Sequence, residues 1–225
     1  MYKLALFDFC ETLIQFQTAD RFIDFVRNKE RNKRMIWLEF LRKFLVKIKF
    51  FAVLERLIKT NNCHKRLKLY QLKGIDRQRI DTYAEFYYQK DLKTNMISNI
   101  IDLLEEYKLK GYKTLIVSGG YEEYIKYFAK EFGIDNVVAT NIGFDNDKCK
   151  GVIDGIDCLN ENKIPKIEKQ INLSDYDLEN SIAFSDSITD LPLLKLVGNG
   201  IVVSRDKSQV WAKKNNLNEI MWSVK

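Results

Sequence analysis

From about residue 95 onward, short apolar runs alternate with amphipathic stretches, and this rhythm constrains the fold more than any other feature of the chain. The stretch MISNIIDLLEEYKLK has helical apolar spacing and ends at Gly111, and YKTLIVSGG has the pattern of a buried strand that enters a glycine turn. The segments that follow are predicted as helix 121–132, strand 136–140, hairpin 140–155, helix 163–171, strand 181–187, a helix starting within 188–197, and a last strand 200–204. Such strand–helix–strand alternation with short connections predicts an α/β fold, a doubly wound parallel sheet covered by helices on both faces.

The first predicted strand spans residues 4–9, and an acidic residue, Asp8, stands at its end. Ser118 follows the second strand and Asp186 follows the fourth, while Asp190 lies one helical turn beyond Asp186. In sheets of this kind, ligands bind beyond the carboxyl ends of the strands. The sequence therefore predicts a polar site formed by these four side chains.

Residues 16–94 differ from the rest of the chain, because they have helical apolar spacing, few glycines and no proline. They are predicted to form an all-helical insert between two parts of an α/β core, 1–15 and 95–225. The insert holds 20 Lys and Arg against 9 Asp and Glu, a net charge of +11, whereas the remainder carries −5. This asymmetry suggests that the two parts meet different partners.

Cysteine usage and the lengths of the apolar runs predict a cytoplasmic protein. The four cysteines form no CxxC pair and no cluster with histidine that would suggest zinc, so they are expected to be reduced thiols. The N-terminal MYKLALFDF lacks the apolar run and cleavage site of a signal peptide. No stretch approaches the roughly 18 uncharged residues of a membrane span.

Two carboxylates from different strands, Asp8 and Asp186, would repel each other at one sheet edge, and a divalent cation would relieve that repulsion. Oxygen-only ligands favour Mg²⁺, which often binds a substrate phosphate oxygen as well. Ser118, with the backbone N–H groups of Gly119 and Gly120, can cradle an anion, and a lysine would balance a phosphoryl group. A carboxylate placed in this way can also attack phosphorus and form an acyl-phosphate.

Four segments in this order, LFDFCETL, LIVSGGY, ENKIPKI and FSDSITDLPLL, resemble the four signatures of the haloacid dehalogenase-like (HAD) hydrolases. The second and fourth look most like the phosphoserine-phosphatase-like branch, subfamily IB. The resemblance covers essentially the whole chain. It implies a Rossmann-like core at 1–15 and 95–225, with 16–94 as a helical cap of the C1 type.

The resemblance also implies an activity, hydrolysis of a small phosphomonoester with Mg²⁺ through an aspartyl-phosphate. It implies that Asp8 is the nucleophile and a metal ligand, that the carbonyl of Cys10 and the carboxylate of Asp186 are further ligands, and that Asp190 supports the metal. Ser118, with Gly119 and Gly120, would bind the transferring phosphoryl group. Lys163 would neutralise its charge and orient Asp8, and Thr12 would brace the phosphate-binding loop.

Three positions depart from the family pattern. Cys10 occupies the place of the acid that protonates the leaving group, and a thiol with a reference pKa near ~8.5 is a poor substitute. The side chain of Glu11 is expected to point to the other face of an extended segment. Gln17 stands where phosphoserine phosphatases have a glutamate that grips the substrate ammonium, and Ser185 replaces a usual glycine. The alternative is therefore a catalytically weak phosphate- and metal-binding regulatory protein, or a phosphotransferase.

The segment 36–59 of the insert has two interpretations. It is a cap helix that buries one face on its neighbours or on a second subunit, or it is an interfacial helix with Lys and Arg towards anionic lipid and Trp37 in the acyl boundary. The second interpretation predicts peripheral contact with the inner membrane surface and a lipid-linked substrate. His64, the only histidine, is expected to be solvated in the cap. No nucleic-acid-binding module is recognisable.

Overall fold

The computed structural model describes residues 1–58 and 63–223. Seven strands form one sheet in the order β4-β3-β2-β1-β5-β6-β7. Neighbouring strands are parallel except for β3 and β4, which form an antiparallel hairpin. The strands are β1 (Leu4–Phe7), β2 (Lys113–Tyr121), β3 (Asn136–Asp145), β4 (Lys148–Asp154), β5 (Ile182–Ser185), β6 (Asn199–Arg205) and β7 (Asn218–Trp222). The predicted α/β fold, a mostly parallel sheet with flanking helices, is confirmed.

Helices fill the connections between the strands. The α-helices are α1 (Thr18–Glu30), α2 (Lys33–Lys47), α3 (Phe50–Ile58), α4 (Cys63–Tyr70), α5 (Arg77–Tyr87), α6 (Ser98–Leu109), α7 (Glu122–Phe132), α8 (Lys163–Glu168), α9 (Leu191–Lys195) and α10 (Val210–Lys214). A short π-helix spans Tyr88–Leu92. Gly111 follows α6 with a φ of 79°, which favours glycine, so the predicted helix stop is confirmed. No helix among residues 1–58 and 63–223 is both long and apolar enough to cross a bilayer.

The central strands β1, β2 and β5 carry the predicted polar residues at their carboxyl ends. β1 pairs with β2 on one side and with β5 on the other, and all four of its residues are buried. The ladder extends one bond past β1, because the backbone N–H of Asp8 donates to the carbonyl of Phe184 at 2.9 Å. Asp8 therefore enters the site from a rigid, doubly paired strand.

Three sequence-based predictions of local structure are wrong. β2 does not end in a glycine turn, since it continues to Tyr121 with a register shift between Ser118 and Tyr121. The segment 36–59 is not one helix, because α2 and α3 are separated at Ile48 and Lys49, and Lys49 has a φ of 56°. Residue 59 lies outside the described residues. The strand at 200–204 is not the last one, since α10 and β7 follow it.

The insert and the sheet share one hydrophobic core. Side chains of α1 and α5 belong to the same buried cluster as β1 and α7. Phe22 of α1 packs against Tyr87 of α5 and Tyr124 of α7, with ring centroids 5.5 and 5.2 Å apart. The apolar face of α1 is thus buried against the α/β core, and this contact fixes the insert above the carboxyl ends of the strands.

Candidate active site

A cavity of about 340 Å³ opens beyond the carboxyl ends of β1, β2 and β5. Predicted site residues that line it are Asp8, Cys10, Gln17, Ser118, Gly119, Gly120, Lys163, Asp186 and Asp190. Thr12 does not line the cavity. Its hydroxyl lies 3.4 Å from Asp186 Oδ1 and accepts the backbone N–H of Asp186 at 3.1 Å. Thr12 therefore holds the loop that follows β5.

Lys163, the first residue of α8, bridges two carboxylates. Its Nζ donates to Asp8 Oδ1 at 2.7 Å and to Asp190 Oδ2 at 2.5 Å, and its side chain is only 3% exposed. The hydroxyl of Ser185 also donates to Asp190 Oδ2, at 2.6 Å. Asp190 thus orients Lys163, and Ser185, where the family pattern has glycine, adds a hydrogen bond to it.

Asp8 and Asp186 ionise less readily than ordinary aspartates despite this lysine. Burial raises the pKa of Asp8 to about 6, although Lys163 opposes the shift. Burial, followed by the charges of Asp8, Glu11 and Asp190, raises the pKa of Asp186 to about 8. Each carboxyl resists ionisation chiefly because it is buried, and neighbouring acidic groups add to the effect. A bound cation would relieve this cost.

The structure narrows the predicted metal ligands. Within the described ranges, no group of three or more His, Cys, Asp or Glu side chains is arranged to hold a metal ion. The Oδ2 atom of Asp190 already accepts hydrogen bonds from Lys163 and Ser185. Asp8 and Asp186 remain as side-chain donors, and Cys10, whose backbone carbonyl is the third predicted ligand, lines the same cavity. Two carboxylates and one carbonyl are an oxygen set that suits Mg²⁺, which keeps several waters.

Cys10 turns its thiol towards the insert. Its Sγ lies 3.0 Å from the hydroxyl of Thr18, the first residue of α1, and Thr18 in turn lies 2.6 Å from the hydroxyl of Tyr124. Burial, followed by the charge of Asp8, raises the pKa of the thiol to about 11. The side chain is therefore a neutral thiol at neutral pH and supplies no general base.

The stretch Ser118–Gly120 forms the opposite wall. The N–H of Gly120 donates to Ser118 Oγ at 3.0 Å, so it is not directed at the cavity as the sequence analysis expected. A Cβ on Gly119 would lie 2.1 Å from Leu159 Cδ2, and one on Gly120 would lie 2.6 Å from the Tyr124 hydroxyl. A larger residue at either position would therefore force the neighbouring side chain of Leu159 or Tyr124 to move.

Several cavity residues were not predicted. The insert contributes Asp20, His64 and Lys65, and the core contributes Leu159, Asn160, Ser187 and Thr189. Lys65 Nζ donates to the carbonyl of Gly119 at 3.0 Å and to Asp157 Oδ1 at 2.6 Å. His64 is exposed, as expected, but it lines the cavity. Ser187 and Thr189 belong to the quoted segment FSDSITDLPLL, whereas no motif marks His64 and Lys65, which reach the cavity because of how α4 docks.

The side chains of Glu11 and Gln17 contact each other, and neither residue is a predicted metal ligand. Glu11 has a φ of 56°, so the segment after Asp8 is a turn rather than the extended strand that the sequence analysis assumed. The amide of Gln17 donates to Glu11 Oε2 at 2.5 Å, and Gln17 lines the cavity whereas Glu11 does not. Glu11 therefore positions Gln17 and does not replace the acid missing at Cys10.

A doubly wound, mostly parallel sheet with an acidic residue at the carboxyl end of its central strand defines the Rossmann-like class of α/β folds, which bind ligands at that edge. The chain belongs to the haloacid dehalogenase-like hydrolases, because the model of that family matches residues 5–195.

The chain is similar to several phosphatases in sequence and in fold. A probable phosphatase of Mycobacterium tuberculosis is 33% identical over 118 residues, which are 52% of this chain and 41% of the relative. The chain thus spans about two fifths of the length of the first curated relatives it matches. A phosphoserine phosphatase of Methanocaldococcus jannaschii is 24% identical and covers 99% of this chain and 98% of its own. A solved phosphoserine phosphatase, described as a phospho-aspartyl intermediate analogue, shares the fold with a TM-score of 0.61, 21% identity and coverage of 97% and 92%.

Proposed function

We propose that the chain is a phosphatase that hydrolyses a small phosphomonoester with Mg²⁺ through an aspartyl-phosphate on Asp8. The observation that carries this proposal is the position of Asp8 in the cavity, hydrogen-bonded to Lys163 at 2.7 Å, where Ser118 of the neighbouring strand also lines the cavity. The phosphatases named among the relatives support the same reaction class. The proposed division is a core of 1–15 and 95–225 with 16–94 as its cap.

The residues divide the work between attack and charge balance. The free oxygen of Asp8 attacks phosphorus, the P–O bond to the substrate's alcohol breaks, and the alcohol leaves after it takes up a proton. Lys163 neutralises the charge that develops on the transferring phosphoryl oxygens. Ser118 donates its hydroxyl to that phosphoryl group, and water then hydrolyses the acyl-phosphate. Asp8, Asp186 and the carbonyl of Cys10 would hold Mg²⁺, which when bound draws negative charge from a phosphate oxygen.

The size of the cavity supports a small substrate. About 340 Å³ lies at the lower end of the range for ligand pockets. Gln17 is neutral where a phosphoserine phosphatase has a glutamate for the ammonium group, so the cavity offers less to an amino acid phosphate. Asp20 and Lys65 also line the cavity, and the charge of Lys65 is paired with Asp157 at 2.6 Å. The proposed substrate is therefore a phosphomonoester other than phosphoserine.

A second candidate function follows from the thiol of Cys10. Without an acid at this position, protonation of the leaving group loses general-acid assistance, which is worth ~10²–10⁴ in rate. A chain of this kind could bind phosphate and metal while turning over slowly, as a regulatory protein or a phosphotransferase. The raised pKa of the thiol is consistent with this alternative.

Phosphate release from phosphorylated metabolites and lipid phosphates, with Mg²⁺ and with chelator, tests the main proposal. We expect Asp8→Asn to lower the rate by at least ~10³, because it removes the nucleophile. Asp154→Asn, which changes an exposed carboxyl at the end of β4, is the matched control and should retain the wild-type rate. Unchanged release by the Asp8 variant would refute the assignment of Asp8.

A further inference from the structure

The outer face of α2 is apolar although it faces solvent. Ile36, Trp37, Phe40 and Phe44 are exposed by 55%, 60%, 72% and 53%. Ile48, directly after the helix, is exposed by 52%. Because residues four apart lie on one side of a helix, these side chains form one continuous strip. Apolar strips of this extent on a protein surface mark interaction sites.

The exposure of this apolar strip is not caused by poor packing of α2 against the rest of the protein. The opposite side of the helix is occupied by Met35, Leu38 and Glu39, all buried. Glu39 accepts two hydrogen bonds from Arg42, at 2.8 and 2.9 Å, and one from Gln71 at 2.8 Å. The helix thus has a well-anchored inner side, and the outer strip is free to meet another surface.

Lysines border the strip, and acidic residues are scarce beside it. Lys33, Lys43 and Lys47 are exposed on α2, and Lys49 follows the helix. The only acidic residue from Lys33 to Phe50 is Glu39, which is buried on the other side and lies 3.9 Å from Lys43 Nζ. The outer face therefore combines large apolar side chains with an excess of positive charge, which is the composition of helices that lie in a membrane interface.

We propose that the outer face of α2 docks on an anionic membrane surface, with its aromatic side chains in the headgroup region and its lysines against lipid phosphates. A second copy of the chain fits this face less well, because two such strips would bring lysines together with no acidic residue to meet them. A nucleic acid would pair with the lysines but would leave Ile36 and Ile48 without apolar partners.

Docking of α2 would tether a neighbouring helix that carries two cavity residues. Arg34 of α2 donates to the carbonyl of Gln71 at 3.0 Å, directly after α4, and α4 carries His64 and Lys65 of the cavity. The docking helix is therefore bonded directly to the segment that ends α4. A lipid-linked phosphomonoester as substrate rests on the proposed function, whereas docking itself does not depend on it.

Co-sedimentation of the full chain with vesicles tests the docking. We expect binding to phosphatidylcholine vesicles that contain about one third phosphatidylserine, and binding at least ~10-fold weaker to pure phosphatidylcholine or at high salt. The emission of Trp37 should shift to the blue on binding, and Trp37→Phe should remove that shift. Absence of binding to the anionic vesicles at low salt would overturn the proposal.

Variants locate the binding face. Trp37→Ser with Phe40→Ser should weaken binding at least ~10-fold, since both side chains leave the interface, and Lys43→Glu with Lys47→Glu should do the same. Leu109→Ser, at a leucine of α6 that is 89% exposed, is the matched control and should bind like the wild type. Equal binding by all variants would contradict the assignment to α2.

Two further measurements separate docking from its rivals. Asp8→Asn should bind vesicles like the wild type, so that loss of turnover and loss of docking are distinguished. A chain that ignores vesicles but forms a dimer broken by Trp37→Ser with Phe40→Ser would show that a second copy covers the strip. Binding to duplex DNA with none to vesicles would likewise overturn the membrane assignment.

Discussion

At the residue scale, the thiol of Cys10 is packed against Thr18 and held neutral, where the family pattern has a carboxylic acid. We expect Cys10→Asp to raise the rate of phosphomonoester hydrolysis by at least ~10-fold, because it restores a proton donor of suitable acidity beside Asp8. Steady-state rates with a poor leaving group measure the effect. Cys10→Ser keeps the size without the acidity and should give no gain.

A null result would be equally specific. If Cys10→Asp leaves the rate unchanged, the native site obtains its proton elsewhere, and the weak-turnover alternative loses its physical basis. A gain in Cys10→Ser equal to that in Cys10→Asp would contradict the argument from acidity, since a hydroxyl has no useful acidity at neutral pH.

The pKa of Asp186 predicts how the metal-free protein responds to pH. This carboxyl ionises near 3.8 when unfolded and at about 8 when folded, so the stability it contributes below pH 4 is lost as the pH rises through 8. We therefore expect Asp186→Asn to stabilise the protein in chelator, and more at pH 8 than at pH 5 by on the order of 2 kcal/mol. Urea unfolding at the two pH values measures the difference.

Adding Mg²⁺ provides the control for that experiment. A cation that binds only the folded state raises the free energy of unfolding. The wild type should gain stability with Mg²⁺ at pH 8 and little at pH 5, where protons compete for the carboxylates, and Asp186→Asn should gain little at either. Equal stabilisation of both proteins at pH 8 would contradict the proposed ligand role of Asp186.

At the element scale, the end of β2 depends on close contact between Gly119 and Leu159. We expect Gly119→Ala to lower both stability and phosphate release, because its Cβ would overlap the side chain of Leu159, and overpacking of this kind costs ~1–3 kcal/mol. Adding Leu159→Ala removes the overlap and should recover part of both losses. Urea unfolding and rates of the two single variants and the double variant measure the coupling.

The outcome that contradicts this account is additivity. If the two substitutions act independently, the glycine is required for another reason, such as the register shift of β2.

The order and type of the elements could be predicted for the core because buried strands, helix stops and turns are encoded locally. The break between α2 and α3 could not be predicted, because the helical spacing of apolar residues continues on both sides of Ile48 and Lys49. No glycine or proline marks the end of the first helix. β7 was missed for a related reason. It is an edge strand of five residues, and only its last, Trp222, is buried.

At the scale of the whole molecule, the predicted acids and Lys163 do meet in one cavity, because parallel strands bring their carboxyl ends to one edge of the sheet. What the sequence could not supply is the side of the cavity formed by the insert. His64 and Lys65 reach it only through tertiary packing of α4 on β4 and on β2 at Gly119. The charge asymmetry between insert and core was visible in the sequence, but which side of α2 is buried and which is exposed was not.

The central claim is that Asp8 carries the phosphoryl group during turnover. Acid quenching during steady-state hydrolysis, followed by mass spectrometry of the N-terminal peptide, tests it most directly. We predict one added phosphoryl group on Asp8, present with Mg²⁺ and absent in chelator. The fraction of the protein that carries it at steady state should be larger if hydrolysis of the acyl-phosphate, rather than its formation, is the slow step. Turnover that proceeds with no phosphoryl group on Asp8, or with one on another residue, would contradict the account.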